Sequence, residues 1–373
     1  MILLLLAVTA APQDTTLLAD AAVHARAYST AHATPGASGN PAIQAQHQAA
    51  LALMDSAQWQ AAAVRLRAVA RLDAHDAAIK GDLAYAFARL GQWDNAADAY
   101  QAASGIEPSN PWFSVGLGVA RAGQQRWVDA ATVLALAAQT DSAVVSRPFV
   151  EEMIADEQQA GRTAFEVTWL RIGTSRYPEV SEWWLQLAHA DLTANDTTAS
   201  LAAAEHYVAL RPDDPAGLEI AADLLLAAGH GDSAAALAGR LPADSTHRPF
   251  AARIFYGAGT QAFHAQDWPL AIALLTRGQA LATPDMAGPF AYYTGFAYLQ
   301  RAAAAGRSAA QAHDCAGMHA TDSLVNLAEQ NLRQAVAVDS ASVNHALGSN
   351  VPLMRQSAAN IERTVCAGGQ RQP

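Results

Sequence analysis

The sequence predicts an all-α protein built as a linear array of antiparallel helix pairs. Three observations predict it. Alanine recurs in nearly every ten-residue block of the 373-residue chain, and most segments repeat in helical periods with few runs of Val, Ile or Thr, which favours closely packed helices over sheet. Trp59, Trp93 and Trp127 stand 34 residues apart, each followed three residues later by alanine (Ala62, Ala96, Ala130), and Trp268 with Ala271 repeats the pair downstream. Pro108, Pro178 and Pro212 punctuate the chain at unit ends, the last two again 34 residues apart.

The clearest unit runs from Ala77 to Asn110. Leu83, Ala84 and Phe87 share one face of a first helix, Gly91 marks a turn, Ala96, Tyr100 and Ala103 share a face of a second helix, and Pro108 ends the unit. This arrangement resembles the tetratricopeptide repeat, which asks for small residues where two helices touch, an aromatic beside them, a turn and a closing proline. The frame extends to units at 43–76, 111–144, 147–180, 181–214, a shortened unit at 215–242, and units at about 252–285 and 288–338, about eight in all. The last is interrupted by an insertion from about Gly306 to Ala320, expected to lie between its helices. The resemblance implies a right-handed α-α superhelix, a solenoid of antiparallel pairs. No isolated pair covers its own apolar face, so each unit stabilises the next. Pro111, Pro148, Pro215 and Pro289 are expected at or just before first helical positions, where the missing N–H is no loss.

Outside the array, a short helix is expected over about Thr15–Tyr28, then a turn-rich linker between Ser29 and Pro41. Residues 339–373 read as a capping helix and tail, with Asn350 as its cap, Pro352 in its first turn and Gly368 as its stop. The run Ile2–Val8, followed by Ala10, fits residues 1–10 as a secretory signal peptide, although no Lys or Arg precedes it. On that reading the mature chain is periplasmic or secreted; if residues 1–10 are not a signal peptide, it is cytoplasmic. No later stretch has the apolar length of an integral membrane helix.

The composition excludes a general nucleic-acid binder. The net charge is −11, Lys80 is the single lysine, and the arginines are scattered. No phosphate loop, nucleophile elbow or kinase signature is present, and the histidines are spread thinly along the units, so no catalytic residue, cofactor or metal is expected. His313, Asp314, Cys315 and His319 superficially resemble a metal-ligand cluster but lack the paired spacing of one. Cys315 and Cys366, the two cysteines, suit one disulfide in an oxidising compartment; free thiols or a redox role are the alternatives.

In tetratricopeptide arrays the first helices of successive pairs line a concave groove, and the resemblance implies that their inward positions meet a protein partner. Carried over unit by unit, these positions are His47 and Leu51, Tyr85 and Arg89, Trp112, Glu151 and Gln158, Glu182 and His189, Arg253, Tyr256 and Phe263, and Tyr292 and Phe296. Tyr256, Phe263, Tyr292 and Phe296 are the preferred anchors, since aromatics and arginine most often carry interfaces. Aromatic stripes at helical spacing also pack between helices, which is the alternative for these side chains. The groove positions that would correspond to the Lys, Arg and Asn of a carboxylate clamp are mostly Ala, Gln, Glu or aromatic, so no such clamp is expected. The expected function is a non-catalytic protein-protein interaction scaffold. The alternative is a small-molecule or glycan module using the aromatic C-terminal groove, with the insertion as a lid.

Overall fold

The computed structural model describes residues 15–32 and 40–366, with side chains described for 16–32 and 40–363. Residues 1–10, read from the sequence as a signal peptide, the linker residues 33–39 and Gly368 lie outside the described residues. Described residues are helical, with short turns between helices, and fall into two compact units, one ending at Ala194 and the other starting at Asn195.

The first unit contains α1 (Thr15–His32), α2 (Pro41–Asp55), α3 (Trp59–Leu72), α4 (Ala77–Arg89), α5 (Trp93–Ile106), α6 (Pro111–Gly123), α7 (Trp127–Thr140), α8 (Arg147–Gln159), α9 (Thr163–Arg176) and α10 (Ser181–Thr193). From α2 onward each helix packs on the next in sequence, as stacked pairs require. The three tryptophans on the 34-residue period each open the second helix of a pair. Asp76 and Asn110 cap α4 and α6 through their side chains, to Ile79 N at 3.0 Å and Trp112 N at 3.3 Å.

Close approach between helices is set by small residues. A Cβ on Gly116 of α6 would stand 2.4 Å from the Tyr100 ring of α5, and one on Gly118 would stand 2.5 Å from Leu134 of α7. The turns within pairs share one backbone device, a residue in the left-handed region: Ala57 (φ 56°), Gly91 (φ 69°), Gln125 (φ 61°) and Gly161 (φ 67°).

The second unit contains α11 (Thr197–Leu210), α12 (Pro215–Ala227), α13 (Gly231–Ala238), α14 (Arg248–His264), α15 (Trp268–Gln279), α16 (Ala287–Ala312), α17 (Cys315–Gln334), α18 (Ser340–His345) and α19 (Val351–Cys366), with a π-helical turn over Ala346–Asn350 between the last two. The eight-residue α13 accounts for the shortened repeat, and Trp268 again opens a second helix. Gly259 against Leu275 and Gly295 against Leu332 repeat the close contact of Gly118 with Leu134.

Four sequence expectations are corrected. The helix expected to end at Tyr28 continues to His32, so Ser29–His32 are helix and not linker. The insertion at 306–320 forms no loop: its alanine-rich residues extend α16 to Ala312 and its remainder begins α17, with His313 (φ 53°) as the left-handed turn between them. Asn350 caps nothing, because the C-terminal helix begins at Ser340 under an Asp339 cap and runs through the π turn into α19. Pro289 is the third residue of α16, whereas Pro111 and Pro215 open their helices.

Candidate functional site

On the first unit, the first-helix face is occupied by the chain itself. α1 does not pack mainly on α2 or α3, which follow it; its principal partners are α4 and α6, with a lesser contact to α8. Leu17, Leu18, Ala21, Ala22 and Ala25 form its buried stripe, whereas Val23 on the other side is exposed. Polar anchors fix the register. Arg26 Nη1 donates to Asp82 Oδ1 at 2.7 Å, and His47 Nε2 of α2 lies 2.7 Å from Asp82 Oδ2. The Asn110 amide donates to the Ala25 carbonyl at 3.1 Å, to Ser29 Oγ at 3.3 Å and to Glu107 Oε2 at 3.0 Å, while Ser29 Oγ donates to Glu107. The His24 ring stacks on Trp112 with centroids 4.4 Å apart.

Three residues predicted for an open groove are therefore engaged within the chain. Trp112 lies beneath His24. Tyr85 is buried, with its ring edge-on to Trp59 at 5.5 Å, and its hydroxyl accepts from Arg89 Nη1 at 3.2 Å. The Arg89 guanidinium lies over the Trp59 ring at 4.5 Å. Farther along, Glu151 pairs with Arg147, Gln158 donates to Glu166, and Glu182 and His189 are exposed on α10. Sequence reasoning missed Asp82 and Asn110, the two groups that hold α1. An acid in the apolar run of α4 was the available signal for Asp82; Asn110 carries the signature of an ordinary cap.

The helix α8 holds a second cluster that sequence reasoning missed. Glu152, Asp156 and Glu157 are all buried. Arg162 donates to Glu157 through Nε at 2.6 Å and Nη2 at 2.8 Å. Asp156 Oδ2 is buried with no hydrogen-bond partner. Burial, and then the charges of Glu152 and Glu157, push the Asp156 carboxyl up to about 9, so it is neutral at pH 7.

On the second unit, the first helices α14 and α16 carry a continuous aromatic strip. Tyr256 meets the buried Phe290 edge-on at 5.2 Å and Tyr293 at 5.9 Å; Phe263 meets Tyr293 at 5.3 Å and Trp268 at 5.3 Å; Tyr292 meets Tyr293 at 5.2 Å and Phe296 at 4.8 Å. Tyr256, Phe263, Tyr292, Tyr293 and Phe296 are all half-buried, each with one part in the core and one part toward solvent. Burial raises the phenol pKa of Tyr256 and Tyr292. Arg253, at the near end of α14, pairs with Asp223 of α12 at 2.7 Å and lies over the Phe250 ring at 4.7 Å. The four preferred anchors thus come together, joined by Tyr293, which the unit-by-unit reading passed over.

The sequence period and the repeated geometry of the pairs coincide across both units. The array is tetratricopeptide-like. No family model matches the chain, and no curated protein does. Solved structures with some likeness to this tetratricopeptide-like array include MamA from Desulfovibrio magneticus RS-1 (13% identity over 46% of this chain and 97% of that one, TM-score 0.40). The C-terminal part of a repeat-containing protein from Cytophaga hutchinsonii is 11% identical over 63% of this chain and 95% of that one, with TM-score 0.43. YrrB, described as a tetratricopeptide protein with an unusual peptide-binding site, is 12% identical over 59% of this chain and 94% of that one, with TM-score 0.35. Likeness at this level identifies no activity or partner.

Cys315, at the start of α17, is disulfide-bonded; the side chain of Cys366, its expected partner, lies outside the described residues. Among the described residues no group of three or more His, Cys, Asp and Glu is placed to hold a metal, and no helix is long and apolar enough to cross a membrane. The corrected path of residues 306–320 also means that His313, Asp314 and His319 sit on a helix-to-helix turn and the first turns of α17, not in a lid.

Proposed function

We propose that the chain is a non-catalytic scaffold that holds a segment of another protein on the first-helix face of its second unit. The observation that carries this reading is the aromatic strip over α14 and α16. Half-buried aromatics interlocked edge to face are rigid, expose apolar surface beside a phenol or an arginine, and lose little conformational freedom when a partner covers them, as interface anchors must. Arg253 and Asp223 at one end supply a charged rim. Periplasmic or secreted placement belongs to the same proposal: it rests on the apolar run Ile2–Val8 and is supported by the disulfide at Cys315.

Affinity capture from envelope extracts tests the site, comparing the wild-type chain with a Tyr256→Ala/Tyr292→Ala variant. The expected result is a specific partner recovered by the wild type and reduced at least tenfold with the variant, at unchanged helix content. Equal recovery by both would place the contact elsewhere.

A further inference from the structure

We infer that α1 is a resident ligand of the first unit, seated reversibly on α4 and α6, and that this face accepts in its place a helix of another protein with the same chemistry: a leucine and alanine stripe flanked by an arginine. This is independent of the aromatic site on the second unit. The placement of α1 is that of a docked peptide. It skips the helix pair that follows it in sequence and lies on the first helices of later pairs.

The contacts read a helix and only a few side chains. Asn110 donates to a main-chain carbonyl, that of Ala25, which any helix could present in this register. Leu17 and Leu18 fill the face, and Ala21, Ala22 and Ala25 are small enough for close helix approach. One charge is specified, since Asp82 is buried and receives Arg26. One further ring is accommodated, His24 on Trp112.

With α1 seated, Asp82 and Asn110 are 1% and 0% exposed; when α1 leaves, Asp82 loses Arg26 and keeps His47, and Asn110 loses the Ala25 carbonyl and keeps Glu107. An incoming helix restores the lost bonds if it brings an arginine and an accessible carbonyl in register. A helix without those features leaves a buried carboxylate short of its cation and is rejected. α1 therefore acts as an internal competitor that sets a threshold for partner binding.

The test uses the full chain and a fluorescein-labelled synthetic peptide of residues 15–32, read by anisotropy. In an Arg26→Glu variant the carboxylate of residue 26 repels Asp82 and frees the face, so this variant is expected to bind the peptide at least tenfold more tightly than wild type does. A peptide carrying Arg26→Glu is expected to bind neither chain. A folded variant, shown by unchanged helix content, that fails to bind the wild-type peptide overturns the proposal. Hydrogen exchange on the unaltered chain decides independently of any variant: α1 amides should exchange at least tenfold faster than those of α4 and α6, and equal protection means α1 is ordinary core. A dimer in light scattering that exchanges α1 between copies would make the occupant a second copy of this chain and overturn the partner-helix assignment.

Discussion

Asp156 makes the stability of the first unit depend on pH in the direction opposite to that of most carboxylates. Its folded-state pKa, pushed up to about 9, exceeds the value of about 3.9 expected for an unfolded aspartate. The folded state therefore holds a proton that the unfolded state releases. The contribution of this group to stability is greatest below about pH 4, falls as pH rises through the interval, and levels off above about pH 9. The steepest possible slope is about 1.4 kcal/mol per pH unit, so between pH 5.5 and 7.5 this one group removes at most about 2.7 kcal/mol. Asp156→Asn keeps the size and shape of the neutral acid and cannot ionise. The expected result in urea unfolding at the two pH values is that wild type loses about 1–2.5 kcal/mol more than the variant, which is the more stable of the two at pH 7.5. Glu166, whose carboxyl burial also pushes up, titrates in both proteins, so the difference between them reads the proton held by the buried cluster of Asp156 with Glu152 and Glu157. Parallel pH responses, or a variant less stable than wild type at pH 7.5, would refute the assignment of a neutral buried acid.

Two further outcomes follow from packing and covalent structure. Gly116→Leu drives a branched side chain into the Tyr100 ring, which already lies 2.4 Å from where a Cβ would sit, and is expected to destabilise the first unit by about 1–3 kcal/mol in the same urea assay; an unchanged midpoint would show that α5 and α6 are not packed as described. Non-reducing mass spectrometry should recover one cross-linked peptide pair containing Cys315 and Cys366, and recovery of both cysteines as alkylatable thiols would disprove the bond.

Much of the helical array was legible because the repeat states its rules in residue types. A tryptophan opening the second helix, a small residue at the helix contact and a proline near the boundary are local features, and the structure places Trp59, Trp93, Trp127 and Trp268 at the first positions of α3, α5, α7 and α15. The docking of α1 was not legible, because its partners Asp82 and Asn110 lie 56 and 85 residues from Arg26 and Ala25 and no period links them. The insertion was misread for a different reason. A break in the repeat frame looks like a loop, although AAAAGRSAAQA has the propensity to continue a helix. On α8, selecting Glu151 and Gln158 as inward positions missed by one residue the buried acids at 152 and 157 that matter to its chemistry. In the second unit, four aromatics chosen from the repeat frame do converge, since consecutive first helices lie side by side; Tyr293 escaped because its neighbour Tyr292 had already filled that position in the frame.

The left-handed residue at the turn within each pair has a consequence for how the chain can vary. Ala57, Gly91 and Gln125 hold nearly the same backbone angle at successive 34-residue steps, although only one of them is glycine. For alanine or glutamine that conformation costs on the order of 1 kcal/mol, which the packing of the two helices must offset. Geometry at these tips is thus imposed by the layers beneath them, and the residue itself is free to drift. The insertion in the last pair uses that freedom: residues added at the tip lengthen α16 and α17 together, end on another left-handed residue at His313, and leave the contact between Gly295 and Leu332 in place. The tips are the margin along which such an array can acquire new length and new surface without reprinting its core.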